Sequence, residues 1–129
     1  MTLKRLKLAI ARVVLSAAAV CCTLPTVVYH ASPVPHTMKV SWYGYEQHGR
    51  MMANGHRFDA MKLTAAHRTL PFGTKLVLKS KRGRQVVVEI TDRGPWAKGR
   101  DLDISLAAAK ALGIVDEGVS VVSYSVVKE

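Results

Sequence analysis

From residue 39 to 129 the chain is written in short alternating apolar runs cut by glycine and proline, and this stretch holds no cysteine. Such a pattern has to fold as strands and tight turns around an aliphatic interior, with no disulfide to hold it. Residues 39–45 alternate Val40 and Trp42 against Ser41 and Tyr43. Residues 75–79 repeat the pattern around Leu76, Val77 and Leu78, a turn at 80–84 centres on Gly83, and residues 85–91 return through Val86, Val88 and Ile90. This pair reads as a hairpin whose tip carries Lys79, Lys81, Arg82 and Arg84; charge of this kind keeps a turn solvated and off other sheet edges. Residues 118–127 form a closing strand rich in valine. The one persuasive helix spans 105–112, with Ser105 as its N-cap and Gly113 as its stop. Many short strands with one short helix point to a small closed β-barrel, and a two-layer α+β fold is the competing architecture. A domain of this size buries about two-thirds of its unfolded surface, so it depends on close aliphatic packing.

The chain has 129 residues, room for one domain, and 49% of them are hydrophobic against 22% charged, which excludes a disordered or fibrous chain. The apolar surplus sits at the N-terminus. Lys4, Arg5, Lys7 and Arg12 precede a charge-free run at 13–29, the make-up of an export signal. Residues 1–30 therefore read as a signal peptide or membrane anchor, residues 31–38, with Pro33 and Pro35, as a short linker, and residues 39–129 as the exported domain. Whether the segment is cleaved or retained stays open, because no small-x-small site follows the apolar run. Cys21 and Cys22 lie within it, and a cysteine there is a candidate for lipid attachment, although Ala18-Ala19-Val20 lacks the leucine usual three residues upstream.

The formal net charge is +10, and 13 of the 19 basic residues fall between 39 and 100. In an exported protein of the periplasm or cell envelope this charge faces cell-wall polymers and anionic lipids rather than nucleic acid. Polar residues gather in two stretches, 53–74 and 91–105, each broken by turn signals (Asn54-Gly55, Pro71-Phe72-Gly73, Arg93-Gly94-Pro95) that present side chains at the rim of a sheet. Singly, each has a plain structural role open to it. Asp92 fits a turn, Asp103 fits a helix cap, His67 a half-buried histidine, and Trp42 and Trp96 fit core packing. His48, His56 and His67 have no metal-ligand spacing, and nothing in the sequence asks for a metal or another cofactor.

Taken together, Ser41-Trp42-Tyr43-Gly44, Ala53-Asn54-Gly55, Leu63-Thr64-Ala65-Ala66-His67-Arg68-Thr69-Leu70-Pro71-Phe72-Gly73-Thr74, Thr91-Asp92-Arg93-Gly94-Pro95 and Gly99-Arg100 through Ser105 closely resemble the rare lipoprotein A family. The resemblance runs from about residue 39 to 127. It implies a six-stranded double-psi β-barrel with one or two short helices, and lytic transglycosylase activity on peptidoglycan glycan strands by a monomer without cofactor. It also makes Asp92 the catalytic carboxylate and His67 its polar partner, and places Asp103 on the aspartate that the related expansin barrels require. The family's acid after the Ala-Asn-Gly turn is here His56, so the resemblance leaves a wall-binding or wall-loosening barrel of expansin type as the alternative function.

The chemistry so implied needs a carboxylic acid to protonate the leaving oxygen and then, as a base, to deprotonate the 6-hydroxyl of the muramic acid, which attacks its own anomeric carbon. Asp92 is the candidate for both steps. Trp42, Tyr43 and Trp96 are candidates for stacking on sugar rings, and Asn54, Arg68 and Arg93 for binding the substrate's polar groups.

Overall fold

The computed structural model describes residues 34–128. The basic and apolar N-terminal segment, with its expectations of export, lipidation and anchoring, lies outside these described residues. The hairpin expected from valine alternation forms as β3 (Lys75–Lys79) and β4 (Gln85–Asp92), in register from Lys75 opposite Glu89 to Lys79 opposite Gln85. Strand β1 covers His36–Tyr43, so it takes up residues 36–38 of the stretch read as linker. It starts early because Met38 is buried and these residues pair with Val122, Ser123 and Tyr124 of β6 (Val119–Val126). It stops at Tyr43 because a 3-10 turn at Tyr45–Gln47 follows.

Two short strands complete the sheet: β2 (Thr64–Ala66) and β5 (Leu102–Ser105). The sheet closes in the order β1-β5-β2-β4-β3-β6, with β1/β5 and β2/β4 parallel. This is the six-stranded barrel that the resemblance implied. Helix α1 (Leu106–Leu112) follows β5 directly. Ser105 caps it, accepting from the Ala108 N–H and donating its own hydroxyl to the Lys62 carbonyl at 2.6 Å. Gly113 ends it in the left-handed conformation (φ 71°), where its N–H returns to the last turn. Asp103 is not the helix cap; it lies on β5.

Inside the barrel, Val40, Leu76, Leu78, Ile90, Leu102 and Ile104 are fully buried, and α1 adds Leu112 to the same core. A second, smaller cluster of Met52, Phe58 and Ala60 lies under the loop between β1 and β2, with Tyr43 packed against it. The position of this small cluster shapes the cleft described next.

Candidate active site

Strand β2 is the reason two carboxylates meet. Ala66 pairs with Asp92 of β4 on one side and with Asp103 of β5 on the other. The two acids therefore stand at one level, two strand spacings or about 10 Å apart at their Cα atoms, with only a methyl side chain between them. They face a cleft of about 250 Å³ whose wall includes Tyr43, Met52, Phe58, Arg50, Arg93 and Trp96.

Each carboxylate is held by its surroundings. Asp92 Oδ1 accepts from the Ala53 N–H and from the Arg93 N–H, both at 2.8 Å. The Asn54 N–H donates to the Thr91 carbonyl, so the Ala-Asn-Gly turn is tied to the end of β4 that carries Asp92. Asp103 accepts from the hydroxyl of Ser41, its register partner on β1. Asp92, fixed at the end of β4 with two amide donors on one oxygen, suits a group that must give and take a proton along one direction.

Tyr43 completes the wall. Its ring meets Phe58 edge-on at 4.7 Å between centroids. Burial, together with the neighbouring Asp92 and Asp103, pushes its phenol well above the usual tyrosine range, while Arg50 acts weakly the other way. It is a neutral hydrogen-bond donor at any physiological pH.

The other sequence candidates divide. Trp96 stands at the cleft rim and is 76% exposed. Trp42 points away into the barrel core and donates its indole N–H to the Val115 carbonyl, so it is a structural residue. Arg93 lines the cleft, yet its guanidinium donates to the Leu70 and His67 carbonyls and lies 3.9 Å over the Phe72 ring. Arg68 clamps the loop before β5, donating to the carbonyls of Pro95 and Arg100 with Asp101 at 3.5 Å. Asn54 and His56 border a neighbouring cavity with Arg57, Lys62 and Thr64, outside the cleft of the two acids. There the Asn54 side chain accepts from the His56 N–H, a local turn contact.

His67 also turns away from the cleft. Its backbone N–H donates to the Asp92 carbonyl, but its Nδ1 accepts from the Thr69 and Leu70 N–H groups at 3.1 and 3.0 Å. Burial lowers its pKa, and the nearby Arg68 and Arg93 lower it further, against a small opposing effect of Asp101. A neutral imidazole that accepts through Nδ1 organises the loop that Arg93 also grips. Sequence reasoning missed Met52 and Phe58. Phe58 sits four residues after Asn54, inside the polar stretch 53–74, but an apolar residue in a polar loop gave no chemical signal.

A closed six-stranded barrel of mixed parallel and antiparallel strands, here with two strand-borne aspartates beside one cleft, defines a class: the double-psi β-barrel. A family model described as lytic transglycolase matches residues 36–124, and the chain belongs to that family. A probable endolytic peptidoglycan transglycosylase RlpA of Synechocystis is 53% identical over 89 residues, covering 68% of this chain and 28% of that protein. Its namesake in Aquifex aeolicus is 55% identical over 80 residues, covering 61% and 35%. The endolytic peptidoglycan transglycosylase RlpA of Neisseria meningitidis is 44% identical over 85 residues, covering 65% and 36%. This chain thus spans about a third of the length of these relatives or less. Among solved structures, a Clavibacter michiganensis expansin superposes with a TM-score of 0.59 at 23% identity, over 74% of this chain and 52% of that one. A Streptomyces papain inhibitor does so with 0.56 at 24%, over 74% and 98%. At these identities the likeness is one of fold.

Proposed function

We propose that this chain is an endolytic peptidoglycan transglycosylase that cuts the bond between N-acetylmuramic acid and N-acetylglucosamine in glycan strands and leaves 1,6-anhydro-muramyl ends. The observation that carries the reading is Asp92, amide-anchored on one oxygen at the floor of a cleft wide enough for a sugar, with Asp103 across Ala66. Asp92 protonates the glycosidic oxygen as the bond breaks. The same carboxylate then takes the proton of the 6-hydroxyl that closes on the anomeric carbon, so no water nucleophile is needed. Asp103 supplies negative charge on the far side of the cleft, where an oxocarbenium-like transition state gains from it. Trp96 offers the rim a face for an adjoining sugar ring.

The work of such an enzyme lies outside the cytoplasmic membrane, and the basic and apolar segment at 1–30 is the means of reaching it. His67 acts here as a positioning residue for the loop beside Asp92 rather than as a proton carrier. His56, in the place of the family's acid, sits in the neighbouring cavity, and that favours a second reading: a wall-binding barrel that leaves strands intact.

Mass spectrometry of glycan strands after incubation with the full chain separates the two. New 1,6-anhydro-muramyl ends, absent with Asp92→Asn, are the expected result. Intact strands that nonetheless co-sediment with the protein would replace the enzyme by the binding barrel.

A further inference from the structure

A cleft walled by Asp92 and Asp103 repels a ligand that carries carboxylates of its own, unless a cation in the same wall offsets them. The arginines that border this cleft are Arg50 and Arg93. The Arg93 guanidinium is taken: it donates to the Leu70 and His67 carbonyls and lies over the Phe72 ring. Arg50 keeps its charge available. Its Nη1 donates to Gln47 Oε1 at 2.8 Å, a neutral partner, and among the described residues no carboxylate pairs with it. A guanidinium presents several N–H donors in one plane, so most of this fork is open to a ligand. The side chain is exposed, and a ligand in the cleft reaches it.

Its place is set by the loop that carries it. The Arg50 N–H donates to the Gln47 carbonyl at 3.1 Å, and the Phe58 N–H donates to the Arg50 carbonyl at 2.7 Å. Met52 and Phe58 of the same loop are buried in the small cluster beneath it. Gln47, which holds the guanidinium, lines the cleft as well. The charge also acts inwards: the Tyr43 phenol, raised by burial and then by Asp92 and Asp103, is lowered by Arg50, so the cation and both acids border one space. The glycan supplies the matching group. Muramic acid differs from glucosamine by a lactyl ether that ends in a carboxylate, and peptides joined there bring carboxylates of their own. These anions recur on alternate sugars, on the sugar whose bond Asp92 would break, and a planar guanidinium suits a planar carboxylate.

We propose that Arg50, oriented by Gln47, forms a carboxylate subsite in the cleft: its open guanidinium donors bind a carboxylate carried by the muramyl sugar or its peptide, and this makes the protein prefer carboxylate-bearing glycan strands to neutral ones. The inference rests on the glycan reading of the cleft and narrows it.

The test measures binding to the full chain by NMR titration at about 0.15 M salt, where long-range attraction is largely screened. The ligands are peptide-free and peptide-bearing glycan strands, each with its carboxylates free and with them converted to amides, and all are tested for cleavage. The wild-type chain is expected to bind the free-acid strands about tenfold more tightly than the amidated ones, Arg50→Gln to erase most of that gap, and Arg50→Lys to keep part of it. Lys110→Gln removes the same unit of charge from an exposed position on α1 outside the cleft wall and should leave the gap as it is. All three variants should melt with the wild type, because both side chains are exposed; the comparison of acid with amide on the wild-type chain needs no variant to fold. A preference dependent on Arg50 that peptide-free strands show assigns the carboxylate to the sugar, and one that peptide-bearing strands alone show assigns it to the peptide; either supports the subsite. Equal binding of acid and amidated strands of both kinds, an unchanged gap in Arg50→Gln, or an equal loss in Lys110→Gln overturns it. Cleavage of acid and amidated strands at equal rates with equal binding would sink the subsite and keep the transglycosylase. A preference lost in Arg50→Gln without cleavage of any strand would keep the subsite and sink the transglycosylase.

Discussion

Residue by residue, the site separates groups that face the cleft from groups that build it, and His67 is the clearest of the builders. Its Nδ1 accepts from two loop amides, which is available only to the neutral ring, and its pKa in the fold is lowered, chiefly by burial. The unfolded chain therefore binds a proton at His67 more readily than the folded one. The sign follows: this contribution to stability is fully present above the ordinary histidine value of 6.5 and is lost as pH falls below it through the lowered value. Melting curves taken across mildly acidic to neutral pH should show the wild type gaining stability as pH rises through that window, and His67→Gln should flatten the rise. An equal rise in both would remove His67 from this role. The same residue shows where the sequence was legible and where it was not. The motif led to Asp92, Asp103, Tyr43 and Trp96, all of which line the cleft. It offered Trp42, Arg68 and His67 on the same footing, although they support loops and core. A motif preserves chemistry and scaffolding alike, and only side-chain direction tells them apart.

At the scale of elements, the readable parts were those whose partners are near in sequence. The β3–β4 hairpin and α1 appear where alternation, turn residues and caps placed them, because each is decided within a few residues. Strands β2 and β5 span three and four residues and gave no usable periodicity. Their pairing is non-local: β5 joins β1 some 60 residues earlier in the chain, from Val40 opposite Leu102 to Tyr43 opposite Ser105. These two strands align the acids, so the site's geometry lay in the part of the fold that local pattern does not carry. The joint between β5 and α1 is a place to test this coupling. Ser105 is fully buried, and its hydroxyl both caps α1 and satisfies the Lys62 carbonyl in the loop leading to β2. Ser105→Ala should destabilise the fold by about 1–3 kcal/mol through the lost cap and the stranded carbonyl. Urea denaturation measures it directly. A loss of under about 0.5 kcal/mol, the range of ordinary surface changes, would mean that neither contact matters to stability.

For the whole molecule, charge is the property that no single element explains. Residues 39–129 carry 15 Lys and Arg against nine Asp and Glu, a balance of +6, before the four basic residues of the N-terminal segment are added. Lys81, Arg82 and Arg84 at the hairpin tip are exposed and absent from the cleft wall, so they have no place in the proposed bond-breaking step. A net positive surface speeds the encounter with a polyanion at long range, and salt weakens it once the Debye length falls below about 10 Å. Glycan strands that carry carboxylates should accordingly be cut more slowly as sodium chloride is raised to about 0.5 M, where screening reaches only a few ångströms. A short uncharged N-acetylglucosamine oligomer should bind with little change over the same range. Lys81→Glu with Arg82→Glu is expected to lower kcat/KM on the charged strands several-fold at low salt and to leave kcat unchanged, because the substitution alters arrival and not chemistry. Rates measured on both substrates across the salt series check this. If the charged strands are cut at a rate indifferent to salt and to the tip substitutions, the positive surface has no part in finding the wall, and capture rests on the cleft alone.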